Sequence, residues 1–249
     1  MITTTIDNGR LGNQIIRNLA VSLIAEKYDL KVNYYNKDII NKLGIELFSG
    51  NKSYETINAL NDENYFTIYN CSNLNYNLNP NDSYFQTKDI STFIYNYLHI
   101  DKIKSRIIET NPFKTRYNTN NDICTHIRLT DAAGWNPGVN YYLNTIKRIN
   151  FDNLYITTDD KHHYIIKTII GIYPTAKIIE YDEITTFQFA STCKHIILSH
   201  GSFSAIIGYL SFFSKVYYPE YEHPGYIDHN KKIWYGDMFT INDWIKMSV

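Results

Sequence analysis

"ITTTIDNGRLGNQIIRNLAVSLI", Ile2–Ile24, decides how the rest of the chain is read. Ile2 to Ile6 is short and Thr-rich, the composition of a strand. From Leu11 the apolar residues fall at Leu11, Ile15, Ile16, Leu19, Ala20, Leu23 and Ile24, which is helical spacing. Lys31 to Tyr35 reads as a second strand. Strand, glycine loop, helix and strand together open an α/β domain. Gly9 and Gly12 let the backbone turn tightly and approach a ligand. A strand-to-helix turn needs glycine for its own sake, however, so this loop alone carries little functional information.

The second half repeats the alternation. Strands are predicted at Ile123–Arg128, Leu154–Thr157, Lys177–Tyr181, His195–Ser199 and Lys215–Tyr218. Helices are predicted at Tyr141–Ile149, Lys161–Ile170, Thr185–Cys193 and Ser202–Ser211. That order specifies a parallel sheet with helices on both faces. The middle, Gly50 to Asn81, is rich in Asn and Tyr and weakly periodic, and only a strand at Tyr65–Tyr69 is placed there. A helix follows at Ile100–Glu109, and the aperiodic Asn111–Asp122 reads as a linker. Two domains are expected, 1–115 and 122–249, with the C-terminal segment a candidate to pack back on the first.

With 249 residues, 44% of them hydrophobic and 20% charged, the chain can bury a core. The net charge of -1, without blocks of like charge, argues against nucleic acid or an anionic membrane as partner. Three cysteines and no C-x-x-C support neither a disulfide framework nor a structural zinc site, which suits a reducing compartment. No apolar run reaches about 18 residues and no secretory leader is visible. A soluble, cytoplasmic protein without an integral membrane segment is the expectation.

Ligands of such sheets bind beyond the carboxyl ends of the strands. Period-2 geometry puts Cys124, His126 and Arg128 on one face and Ile123, Thr125 and Ile127 on the other. Arg128 either presents its planar fork to a phosphate or pairs with Asp131 for structure. In "HGSFSAIIGYL" the backbone of Ser202, Phe203 and Ser204 opens a helix, a setting that suits an anion but also ordinary capping by Ser202. In "TDDKHH", Asp159, His162 and His163 have metal-like spacing, yet caps and a solvated face explain them better, and no metal is expected. Trp135 either stacks on a sugar or base or anchors its loop.

Together these pieces resemble the α-1,2-fucosyltransferases of glycosyltransferase family 11. "GRLGNQ" at Gly9–Gln14 matches the opening G-x-L-G-N-Q. "YFQTKD" at Tyr84–Asp89, "HIRLTD" at His126–Asp131, "YITTDD" at Tyr155–Asp160 and the segment from Cys193 resemble the later motifs, in family order. The resemblance implies a GT-B-like fold of two facing Rossmann-like domains with parallel sheets. It implies fucose transfer from GDP-β-L-fucose to a glycan hydroxyl, inversion at the anomeric carbon, and neither metal nor cofactor. Carried over residue by residue, it marks Gly9, Arg10, Gly12, Asn13, Gln14, His126, Arg128, Asp159, Ser202, Phe203 and Ser204 as donor-binding. Arg128, Asp131 and Asp7 become the candidates for catalysis. Leu129 departs from the family's second arginine. Thr185 and Thr186 stand where relatives carry an acid on the guanine, so a uridine- or thymidine-linked deoxysugar donor, or a degenerate carbohydrate-binding relative, stays open.

Overall fold

Thr3–Thr4 (β1) leads through the glycine loop into α1, Leu11–Tyr28, and β2, Val32–Asn33, returns parallel beside β1. This computed structural model describes residues 1–131, 133–220, 227–228, 233–234 and 237–249. A short helix α2, Lys37–Asn41, and β3, Ile57–Ala59, follow. Next come α3, Tyr65–Tyr69, and β4, Asn77–Asn79, which pairs parallel with β3. Two longer helices, α4 at Lys88–Leu98 and α5 at Asp101–Thr110, close the first half.

The predicted strand at Tyr65–Tyr69 is therefore a helix. Asn61 Oδ1 accepts hydrogen bonds from the backbone N–H groups of Glu63 and Asn64 and starts the turn. Tyr65 and Ile68 are then buried on one face, with Tyr65 packed against Phe66, Phe85 and Phe93. Tertiary packing of aromatic rings outweighs their strand propensity.

The second half contains β5 (Ile123–Ile127), α6 (Val139–Lys147), β6 (Leu154–Thr158), α7 (Tyr164–Ile172), β7 (Lys177–Ile179) and α8 (Glu183–Ala190). It continues with β8 (His195–Ile197), α9 (Gly201–Tyr209) and β9 (Lys215–Pro219). After the short pair β10 (Ile227–Asp228) and β11 (Ile233–Trp234) it ends with β12 (Ile245–Met247). Six strands form one sheet in the order β12-β9-β8-β5-β6-β7, every neighbouring pair parallel. Numbered from β5, this is the doubly wound order 3-2-1-4-5-6. The order reverses between β5 and β8, so a crevice opens above their carboxyl ends.

Every residue of β5 is buried, as a strand covered on both faces requires. Ile123 and Ile127 join one cluster under α6 and α7. Cys124 faces the other way into a larger cluster shared with α1, α4, α8 and α9, so one core runs through both halves. Between β11 and β12, Tyr209 donates to the carbonyl of Met238 (2.9 Å) and Trp244 packs against Tyr95 and Tyr209. The C-terminal segment thus lies against α4 of the first half and α9 of the second before β12 joins the sheet.

Candidate active site

A cavity of about 450 Å³ lies at the carboxyl ends of β5, β6 and β7. His126 and Arg128 line it from β5, and Thr157, Thr158 and Asp159 from the end of β6. Ile179, Glu180 and Tyr181 follow β7, Glu183 and Thr186 open α8, and Phe203 opens α9. Arg10 closes it from the first half.

At one end of this cavity two arginines and two helix N-termini converge. The N-termini of α1 and α9 meet there: a Cβ on Gly12 would lie 2.7 Å from Ser202 C and from Phe203 N. Neither helix has a side-chain cap at its N-terminus, and neither carries an acid in its first turn. Two partial positive charges therefore point at the same region, with no acid in either first turn to offset them. Arg10 is the residue at the N-cap of α1, and Arg128 lies beside the start of α9 at Gly201. Arg128 Nη2 donates to both carboxylate oxygens of Asp131 (2.9 and 3.0 Å), and Arg10 Nη2 stands 3.3 Å from the same carboxylate. Arg128 Nε and Thr157 Oγ1 are buried without a hydrogen-bond partner. Most buried polar atoms have a partner, so two such atoms on one cavity wall are consistent with a polar ligand there.

The surrounding groups hold the arginines in place. Asp159 accepts from Leu129 N (2.7 Å) and Thr130 Oγ1 (2.6 Å) and lies 3.8 Å from Arg10 Nη1. Burial pushes the Asp159 carboxyl up, but these hydrogen bonds outweigh it and hold it below the usual carboxylate range. His126 Nδ1 meets Ser204 Oγ at 2.5 Å, and Ser204 Oγ accepts from Ser199 N, so the serine proton is free for the imidazole. The ring stacks on Phe203, which stacks on Phe187.

Burial, with help from His200 and Arg128, depresses His126 from 6.5 to about 3, against the pull of Asp159. It is neutral in the folded protein near neutral pH. The unfolded chain takes up this proton below about pH 6.5, the folded one only near pH 3. The stability His126 contributes is thus complete above the unfolded value and is lost as pH falls toward the folded one. His126→Asn is expected to flatten that acid loss, measured by denaturant unfolding at about pH 7 and about pH 4.5. Equal slopes in both proteins would contradict it.

A second hollow, about 400 Å³, lies on the first-half side of Arg10 and shares Arg10 and Glu183 with the first. Asp7, Gly9 and Gln14 line it. Gly9 has φ +82°, and a Cβ there would lie 2.6 Å from Asn13 Nδ2. Gln14 Nε2 donates to Asp7 Oδ1 (3.0 Å) and to the carbonyl of Gly9 (2.8 Å). The fully buried Arg17 reaches the carbonyls of Asn8 (2.9 Å) and Ser83 (3.1 Å). It binds the glycine loop to the segment holding Tyr84 and Gln86, so two distant sequence motifs become neighbours.

The structure brings Arg10, His126, Arg128, Asp159 and Phe203 to the main cavity, with Asp131 paired to both arginines at its rim. Asp7, Gly9 and Gln14 belong to the second hollow. Gly12, Ser202 and Ser204 pack behind the wall. Asn13 lines neither: its Oδ1 accepts from Gln86 Nε2 at 2.8 Å. Trp135 also lines neither cavity. Leu129 is buried in the α6–α7 cluster, so its position offers the cavity no side chain.

Sequence reading missed Glu180, Tyr181 and Glu183. It sought an acid at Thr185 and Thr186, whereas α8 begins earlier, with Asp182 capping Thr185 N at 2.6 Å. The rule that ligands meet strand ends, applied to "IIEYDEITT" after β7, was the available signal. In "TDDKHH" Asp160 accepts from His162 N (2.9 Å) and His163 caps α7. Among the described residues no group of three or more His, Cys, Asp or Glu is arranged to hold a metal ion. No described helix is long and apolar enough to cross a membrane.

No family model and no curated protein matches the sequence. Among solved structures, a fucosyltransferase NodZ from Bradyrhizobium is 9% identical with a TM-score of 0.48, over 90% of this chain and 97% of that one. A NodZ α-1,6-fucosyltransferase soaked with GDP-fucose is 9% identical with a TM-score of 0.43, over 84% and 93% respectively.

Proposed function

We propose that the chain is an inverting, metal-independent glycosyltransferase that moves L-fucose from GDP-β-L-fucose to a glycan hydroxyl, in α-1,2 linkage. The observation that carries this reading is the anion end of the main cavity. Two guanidinium groups and two uncapped helix N-termini converge at the switch point of a doubly wound sheet. That arrangement suits a diphosphate, and the adjoining 450 Å³ is of the size that encloses a small-molecule ligand. The resemblance of the sequence motifs supports fucose as the sugar.

In this reading an acceptor hydroxyl attacks the anomeric carbon as the bond to the diphosphate oxygen breaks. The bonding pair leaves with GDP, and Arg128, Arg10 and the helix ends offset the charge growing there. Arg10 supplies from the first half the second guanidinium that Leu129 does not. The sugar carries oxocarbenium-like charge. In this reading Asp7, which accepts from Gln14 Nε2 and lines the second hollow, takes the acceptor proton.

Glu183 fits the guanine end, because a carboxylate accepts from both N1–H and N2–H₂. Glu183→Gln is expected to weaken GDP binding roughly tenfold or more while changing UDP binding little. Equal losses for the two nucleotides would remove that role.

The deciding experiment is a thermal-shift screen against GDP, UDP, dTDP, ADP and CMP, followed by transfer from GDP-fucose in EDTA. Stabilisation by GDP and transfer in EDTA are expected. Stabilisation by UDP or dTDP instead moves the donor. Loss of transfer in EDTA, restored by Mg²⁺ or Mn²⁺, overturns metal independence. Binding without transfer or donor hydrolysis leaves a carbohydrate-binding relative.

A further inference from the structure

Asp131 occupies the place where a ligand anion is needed. Its carboxylate is the shared partner of Arg128 and Arg10, one from each half of the molecule. Yet the pairing with Arg128 is incomplete. Both oxygens bond the same nitrogen, Nη2, at 2.9 and 3.0 Å, whereas a guanidinium fork offers two parallel donors. Of the donors left over, Nε is buried with no acceptor. The Asp131 side chain is 53% exposed, so water screens the pair and the carboxylate can leave into solvent at little cost. A carboxylate whose task was to orient Arg128 would be expected to use the whole fork and to be sheltered with it.

We infer that Asp131 is an internal counter-anion, standing where the diphosphate binds and displaced by it. This rests on the reading of the cavity as a diphosphate site. Asp131 keeps the two guanidinium groups from repelling each other and ties the glycine loop to the second half. An incoming diphosphate takes Nη2, reaches the unused Nε, and replaces Asp131 between the two arginines.

The test is titration calorimetry of inorganic pyrophosphate against wild type and Asp131→Asn. Asp131→Asn is expected to bind pyrophosphate about tenfold more tightly, through release of the ion pairs and loss of one repelling charge. Raising the salt is expected to shrink the gain. A variant that binds pyrophosphate as weakly as wild type, or more weakly, makes Asp131 a positioning group and overturns the inference alone. If neither protein binds pyrophosphate or GDP, the diphosphate reading falls and this inference with it. Because Asp131 is exposed, a melting curve suffices to show that the variant is folded.

Discussion

Arg128→Ala is expected to lower turnover by about a hundredfold or more, the scale on which removal of one charge-stabilising donor acts. The expectation follows from what surrounds the guanidinium. Its side chain is only 14% exposed, it lies against the N-terminus of α9, and its Nε points to no acceptor within the protein. A donor diphosphate would supply that acceptor, and the demand for it rises as the sugar–phosphate bond breaks. Stability should change little, because the ion pair lost is with a half-exposed carboxylate and such pairs contribute at most about 1 kcal/mol. Arg128→Lys should recover little activity, since an ammonium cannot replace a fork that reaches two oxygens from a fixed plane. Steady-state kinetics beside a melting curve separates the outcomes. Near-normal kcat in folded Arg128→Ala would return the residue to a structural pairing with Asp131.

The second half was legible because its strands are apolar runs bounded by turns and its helices show a clear period. Covered on both faces, β5 and β8 had to be continuous and apolar, and "ICTHI" and "HII" are nearly so. The first half was harder for a physical reason. Its strands are two or three residues long, and their backbone groups are satisfied partly by side chains. Asn77 alone accepts from Tyr54 N and donates to the carbonyls of Tyr54 and Thr56. Leu78 N, in turn, donates to Thr3 Oγ1. Such strands leave no periodic trace, and an Asn there reads as a turn.

The site divided in the same way. Arg128 and His126 were visible because alternation along β5 fixes where they point. Glu183 was not, because its place depends on where α8 begins. The pairing of Arg10 with Asp131 and the meeting of α1 with α9 are contacts between the two halves, which sequence spacing cannot express.

Gly12→Ala tests that meeting directly. In an ordinary helix interior this substitution stabilises by about 0.5–1 kcal/mol, because glycine is the poorer helix former. Here the new methyl would stand 2.7 Å from Ser202 C and Phe203 N and 2.8 Å from Ser202 Oγ. Two of those atoms are backbone and cannot rotate away. Neither helix has room to retreat, since Ile15, Ile16 and Leu19 of α1 and Ala205, Ile206 and Ile207 of α9 are completely buried. The first turns must part, and those turns carry Arg10 and Phe203. The expected result is a loss of about 1–3 kcal/mol of stability, the cost of overpacking a filled core, together with weaker pyrophosphate binding. Gly171→Ala is the control. Gly171 lies in α7, and a Cβ there meets nothing within 4 Å. That variant should be as stable as wild type or slightly more so. Denaturant unfolding of the two variants side by side gives opposite signs if α1 and α9 touch through Gly12. If Gly12→Ala proved as stable as Gly171→Ala, the two helix ends would not be in contact, and the convergence of two helix N-termini at the cavity would lose its basis.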